Sequence, residues 1–377
     1  MGTSGHPGPD TRKATQVTSS ALRLEVVTDP EAFYEYSESE NLGDGLPLVP
    51  PTEPRVDAML ATVDRAADDV VAVLDPRGGI GTVEAIAANA VMAGCRPDYF
   101  PAVLAAVEAA ADPVFCLGEM SVNSNPITPL LVVNGPARDA LGINYQSQCF
   151  GSAGRANATI GRALRLVMIN IGGAIPSLVS KSVHGSPMRY TMCIGEWDER
   201  NPWAPQHVQR GFNASESCIT ALSANSFLEI GDIWSQTGDS YLSSIARSMR
   251  TTAGSWIIVG CSPMNIIING NWADIMFRDG FTDLAEVKQV LWERSQVHLS
   301  EFSPEIQKAL VEGTVKSPQG ALDHNCILPG DMVPMTDSPD NFNIIVAGGA
   351  AGMHGIVCHG WAFERPSTRS FKLAAPA

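Results

Sequence analysis

An α/β protein, with strands and helices alternating along the chain, is what this sequence predicts, and three observations carry the prediction. The β-branched apolar run VVAVL (Val70 to Leu74) passes through the glycine loop DPRGGIG into the alanine-rich helix TVEAIAANAVMAG. Two further apolar runs, PLLVVNG (Pro129 to Gly135) and MNIIING (Met264 to Gly270), each end in an Asn-Gly pair and lead into a helix. A third strand-and-glycine unit, NIIVAGGAAGMHG from Asn343, closes the chain. Alternation of this kind favours sheets covered by helices.

In chain order, residues 1–20 read as a disordered tail, because they lack the apolar core of a signal peptide. Residues 21–64 form a leading segment: a short helix near Pro30 to Ser39, the turn-rich DGLPLVPPT from Asp44 to Thr52, and a second helix. A first α/β half spans 65–215. Within it Gly94 stands where a left-handed helix C-cap is expected, and Pro97 and Pro101 separate that helix from FPAVLAAVEAAA. A second half spans 216–377 and includes the C-terminal strand-glycine unit.

The strand-NG-helix order recurs. After Asn134-Gly135 come Asp139, a Gly142 turn and a helix from Arg155 to Ile171; after Asn269-Gly270 come Asp274, Gly280 and a helix from Asp283 to Gln296. Each copy is preceded by a helix and a short apolar run, FCLGEM and WIIVGC. An internal duplication, with two lobes and a site between them, accounts for this order. An ordinary βα junction, in which Asn and Gly supply positive φ or an N-cap, accounts for the NG pairs alone.

Composition narrows the function. A formal net charge of −15 opposes binding to phosphate backbones, which needs a basic surface. No stretch has the 18 or so uninterrupted apolar residues of a membrane span. Eight cysteines without CxxC pairs in 377 residues fit a reducing cytoplasm better than a disulfide framework. Charged residues make up 17%, below the roughly 25% of ordinary soluble domains, which predicts a homo-oligomer, most simply a dimer.

Chemistry-bearing residues concentrate in a few places. In CFGSAGRANATIGRALRLVMINIGGA (Cys149 to Ala174) a glycine loop feeds an amphipathic helix, and Arg155 and Arg162 share one of its faces. A helix N-terminus with arginine forks beside it suits carboxylate or phosphate; a solvated arginine face is the alternative. Asn157 in the same helix and the two NG asparagines, Asn134 and Asn269, join these arginines as substrate-binding candidates. GxxxxGK[ST] and GxGxxG are both missing, so nucleotide binding is not supported. Cys95 sits at a helix-end junction beside Arg96, where a thiolate would be favoured by the cation and opposed by the helix C-terminus. Cys149 precedes the Arg155 helix. The segment from His184 to His207 offers His184, Glu196 and His207 for acid-base work or metal ligation, although no metal motif is met. DHNC (Asp323 to Cys326) and GMHGIVCHGW add His324, His354, Cys358 and His359.

Taken together, DGLPLVPPT (Asp44 to Thr52), NAVMAGCRPDYFPAVLAA (Asn89 to Ala106), GRANATIGRALRL (Gly154 to Leu166) and PWAPQHVQRGF (Pro202 to Phe212) resemble a bacterial family of uncharacterised proteins associated with UGSC-motif (seleno)proteins. The resemblance runs from about residue 40 to 300. It weakens at GGAAGMH, where GGAGKH is expected and Met353 replaces the Lys; the UGSC motif itself is missing. It implies thiol or selenol redox chemistry, brings Cys95 and the arginines of GRANATIGR forward, and implies a UGSC-type (seleno)protein partner.

The resulting expectation is an enzyme acting on a small carboxylate- or phosphate-bearing metabolite by thiol-assisted redox or lyase-type chemistry. Arg155, Asn157, Arg162, Asn134 and Asn269 hold the substrate, Cys95 is the thiol and His184 or His207 the acid-base group, with no cofactor required. The alternatives are a metal-dependent hydratase or hydrolase built on His184, Glu196 and His207, and a non-catalytic subunit of a redox complex.

Overall fold

The computed structural model describes residues 29–151, 154–253, 262–312, 327–361 and 364–374. The expected tail over 1–20, the run WIIVGC and His324 within DHNC lie outside the described residues.

Helix α1 (Pro30–Ser39) begins at Asp29, whose carboxylate accepts the amides of Glu31 and Ala32, and α2 (Glu53–Leu60) follows DGLPLVPPT. VVAVL forms β1 (Val70–Leu74), but it does not enter a covered sheet. It pairs antiparallel with β2 (Gly79–Thr82) as a two-stranded ribbon, so the glycine loop makes a hairpin rather than a strand-to-helix turn. The physical reason is local: Gly78 takes φ +68, and Gly79 backs directly onto the Ile171 carbonyl, where a Cβ has no room. Thr82 then caps α3 (Val83–Ala93), which ends at Gly94 with φ +88, the left-handed C-cap read from the sequence. Helices α4 (Phe100–Ala110) and α5 (Leu117–Val122) lead to β3 (Thr128–Asn134), α6 (Pro136–Ala140), α7 (Arg155–Asn170), β4 (Cys193–Gly195), α8 (Gln206–Gln209) and β5 (Cys218–Ala224).

The chain continues through β6 (Leu228–Gly231), α9 (Gly238–Ala253), β7 (Met264–Ile268), α10 (Gly270–Arg278) and α11 (Leu284–Arg294). Then come β8 (Val297–His298), α12 (Pro304–Glu312), β9 (Met332–Val333), β10 (Phe342–Val346), β11 (His354–His359) and β12 (Ser367–Ser370). Strands β8 and β9 form a small separate pair.

Two four-stranded mixed sheets organise the molecule, ordered β12-β5-β3-β4 and β6-β11-β7-β10. Within the first, β3 runs parallel to β4 and antiparallel to β5, which is antiparallel to β12. Within the second, β7 runs parallel to β10 and antiparallel to β11, which is antiparallel to β6. The two sheets therefore match strand for strand. Each also takes its outer strand from chain that follows the other's antiparallel strand: β6 follows β5 but joins β11, and β12 follows β11 but joins β5. A cut at residue 215 would leave the first sheet with β3 and β4 alone.

Burial follows the two-residue period of the strands. Leu131 and Val133 of β3, with Ile219 and Ala221 of β5, pack with α3, α4 and α7 on one outer face. Met264, Ile266 and Ile268 of β7, with Phe342, Ile344 and Val346 of β10, pack with α9, α10 and α11 on the other. The alternate residues, Leu130, Val132, Ile194, Leu222, Ile267 and Ile345, meet between the sheets. The result is four layers, helices outside and two sheets face to face, which is why the strands read as continuous apolar runs.

The parallel pairs end alike. Glu196 donates its amide to the Val133 carbonyl and Ala347 to the Ile268 carbonyl, both at 3.0 Å, so Asn134 and Asn269 occupy matching positions just beyond. The edge of β10 is closed by the Trp197 amide on the Val346 carbonyl (2.7 Å) and the Gln206 side chain on the Ile344 carbonyl (2.7 Å). Among the described residues no single helix is long and apolar enough to cross a membrane.

Candidate functional site

Helix α7 positions the site. Its apolar stripe, Ala156, Ile160, Ala163, Leu164 and Val167, fixes it against α3, α4 and the first sheet. A second buried row runs at four-residue spacing through Asn157, Gly161, Arg165 and Ile169. Gly161 is required there: a Cβ would collide with Thr191 Oγ1 and the Met192 amide, so the chain around 186–192 lies directly on the helix. That contact carries Arg189 across the face that displays Arg165.

Arg165 and Arg189 line a cavity of about 550 Å³, whose wall includes His184, Ser177, Ser182 and Tyr190, a size ordinary for a small-molecule site. Arg165 is only 6% exposed. Among the described residues it has no hydrogen-bond or ion-pair partner. Burial, with Arg189 beside it, pulls its pKa down to about 9, and Asp44 opposes this weakly; it remains a cation at neutral pH. Arg189 is pulled down by burial as well; it donates to Ser180 Oγ at 2.8 Å, while its Nε is buried without a partner. Asp44 also reaches the wall, but its carboxylate is held bidentate by Arg162 at 2.8 Å for both bonds. The positive charges of Arg165 and Arg189 are thus uncompensated. A buried charge without a partner is costly, and two such guanidiniums facing one cavity are a ready receptor for a carboxylate or phosphate.

The residues singled out from the sequence disperse around this cavity. Arg162 faces Asp44 and the carbonyls of Leu46 and Pro47, and Arg155 donates to the Gly94 carbonyl at 2.9 Å, tying α7 to the end of α3. Both forks are occupied by protein. Asn157 is interior glue: its side chain bonds the Asn144 amide and the carbonyls of Asn144, Cys149 and Cys193. Only His184 of the sequence candidates faces the cavity, where it is exposed.

Cys95 is buried, donates to the Thr159 carbonyl at 3.3 Å, and is pushed by burial up to about 12, so the fold holds it as a neutral thiol. Cys149 is pushed up to about 11 for the same reason. Asn134 donates to Glu196 and Asp198 at 2.7 Å each, while Asn269 caps α10 and bonds the Gly352 carbonyl at 2.7 Å. Glu196 is fully buried, receives the Gln206 amide and the Asn201 side chain, and is pushed up to about 7. His207 is 1% exposed with both ring nitrogens unpartnered.

The metal set His184, Glu196 and His207 is split: His184 lines the cavity, whereas Glu196 and His207 are enclosed beyond the end of β4. Among the described residues no three His, Cys, Asp or Glu side chains are grouped to hold a metal ion.

Arg165 and Arg189, which sequence reading passed over, are the central groups here. The available signal was the four-residue row Asn157-Gly161-Arg165-Ile169, which places an arginine on a face marked by a small residue and an apolar one. No protein-family model matches the chain, and no curated protein is significantly similar to it.

Proposed function

We propose that the protein binds a small organic anion, carboxylate- or phosphate-bearing, in the Arg165–Arg189 cavity and acts on it as an enzyme, with His184 as the proton-transfer group. The observation that carries this reading is the buried, unpartnered guanidinium of Arg165 in an open cavity. A fold retains such a group at the expense of stability, and a bound anion offsets that cost. The exposed apolar side chains of Val183 and Tyr190 at the cavity wall suit a ligand whose charged end points inward and whose carbon skeleton lies outward.

The thiol-assisted form of the chemistry loses support at Cys95, which burial keeps protonated, so lyase-type proton transfer is the better fit. The strand-for-strand match of the two sheets supports the internal duplication. The low charged fraction supports a homodimer, the eight cysteines without CxxC pairs support a reducing cytoplasm, and a UGSC-type (seleno)protein partner rests on the motif resemblance alone. Thermal unfolding with sulfate, phosphate, succinate and acetamide tests the reading: the three anions raise Tm and uncharged acetamide does not. Equal shifts with all four would contradict it.

A further inference from the structure

We propose that a second cavity, at the open end of the layer between the two sheets, is a binding site for a small, flat, uncharged or cationic ring compound. It encloses about 430 Å³ and is built from both halves of the chain, with Cys149 and Phe150 on one side and Ile267, Ala347 and Ile356 on the other.

The layer changes character along its length. At the start of β7 and β10 it is filled by a polar chain, in which Asn343 donates to Asn265 at 2.9 Å and Asn265 to the Ser223 carbonyl at 2.7 Å. Its middle is the apolar cluster of Leu130, Val132, Ile194, Leu222 and Ile345. At the far end the two matching positions differ. The Asn134 amide is answered by the carboxylates of Glu196 and Asp198, which occupy the space beyond β3 and β4. The Asn269 amide is answered by the Gly352 carbonyl. Gly348 and Gly349 follow Ala347 on the cavity wall, Gly349 seated so closely on Ser147 that a Cβ has no room, and no carboxylate pair fills the space beyond β7 and β10 as it does beyond β3 and β4. Ligands favour crevices beyond the carboxyl ends of parallel strands.

The lining states the chemistry. Phe150 and Phe227 stand edge to face with ring centroids 5.1 Å apart, and Phe227 is still 40% exposed, leaving aromatic surface for another ring. Among the described residues that line the cavity there is no Arg or Lys. The carboxylate at its mouth is Glu229, with the His354 ring 3.3 Å away. Burial keeps the Cys149 thiol neutral. An anion would meet a carboxylate and no guanidinium or ammonium group here, in contrast to the arginine cavity.

Three compounds of one shape and different charge separate the outcomes: benzamide, benzamidine and benzoate, titrated by calorimetry into the full chain. The titrations use the Arg165→Met background so that the arginine cavity does not compete. Benzamide and benzamidine are expected to bind, and benzoate at least tenfold more weakly. Phe227→Ala, at an exposed ring, and Ala351→Trp, at the exposed rim, should each weaken benzamide binding at least tenfold with Tm retained, whereas Arg165→Met alone leaves it unchanged from wild type. Benzoate binding as tightly as benzamide, affinities untouched by both rim variants, or no heat from either uncharged or cationic probe at millimolar concentration would each overturn the proposal and leave the anion site standing.

Discussion

Replacing Arg165 by Met separates a binding residue from a structural one, because the two roles predict opposite signs. A guanidinium lowered from its ordinary value to about 9 corresponds to roughly 5 kcal/mol against the charged form, an upper bound on what the uncharged side chain recovers. The sign is fixed by linkage. The folded state holds fewer protons than the unfolded one only between about pH 9 and the ordinary arginine value, so the full penalty is present at neutral pH. Met has similar length and suits Ile169 on the same cavity wall, and exchanging a buried charge for apolar packing commonly stabilises by about 1–4 kcal/mol. Without anion, Arg165→Met should therefore unfold at a higher urea concentration than wild type. With phosphate or succinate the order should narrow or reverse, because the variant forfeits a charge-assisted bond of about 1.5–3 kcal/mol, or about one to two decades of affinity. Urea unfolding with and without saturating succinate measures both. A variant less stable than wild type without ligand, yet equally stabilised by succinate, would make Arg165 a structural residue and not a binding one.

Other consequences are as direct. Asp44→Asn leaves Arg162, 15% exposed in its side chain, without its carboxylate and should cost about 3–5 kcal/mol, as breaking a buried pair does; a loss below about 0.5 kcal/mol, the surface-substitution range, would contradict a structural pairing. Glu364, fully buried and accepting the Ser223 amide and hydroxyl, is pushed up to about 7 by burial. Its folded pKa lies above the unfolded value near 4.5, so its contribution is complete below that value and is lost as pH rises through about 7. Glu364→Gln should flatten the fall in stability between about pH 4.5 and 7 by up to about 3 kcal/mol, and an unchanged slope in urea unfolding would count against it. Iodoacetamide at pH 8 should leave Cys95 unmodified in the native protein and label it after denaturation, as peptide mass mapping would show; native labelling would restore it as a reactive thiol. Sedimentation should give a species of twice the 40.0 kDa chain mass, and a monomer across micromolar concentrations would remove the dimer.

The sequence made the fold legible where its period was strong. The apolar runs of β3, β7 and β10 are buried on both faces, so they stand out without alternation, and Gly94 and Asp283 mark helix ends by chemistry that needs no tertiary context. The exchange of β6 and β12 between sheets is invisible in one dimension, because strand pairing is decided by which chain segments pack, and nothing local records it. The candidate cavity was legible by region rather than by residue. The Arg155 helix and His184 do meet at a cavity, but Asp44, 118 positions away in sequence, claims Arg162. Arg165 is left as the open cation, and Arg189 reaches it only because Gly161 lets the 186–192 chain lie against α7.

The claim that Arg165 and Arg189 form an anion receptor is tested most directly by crystals grown without oxyanions and soaked in selenate, with anomalous diffraction recorded at the selenium edge. An anomalous peak is expected between the two guanidiniums, within hydrogen-bond distance of both, and is expected to vanish in Arg165→Met crystals soaked identically. Selenium density elsewhere on the molecule with this cavity vacant, or a peak there that survives the substitution, would contradict it.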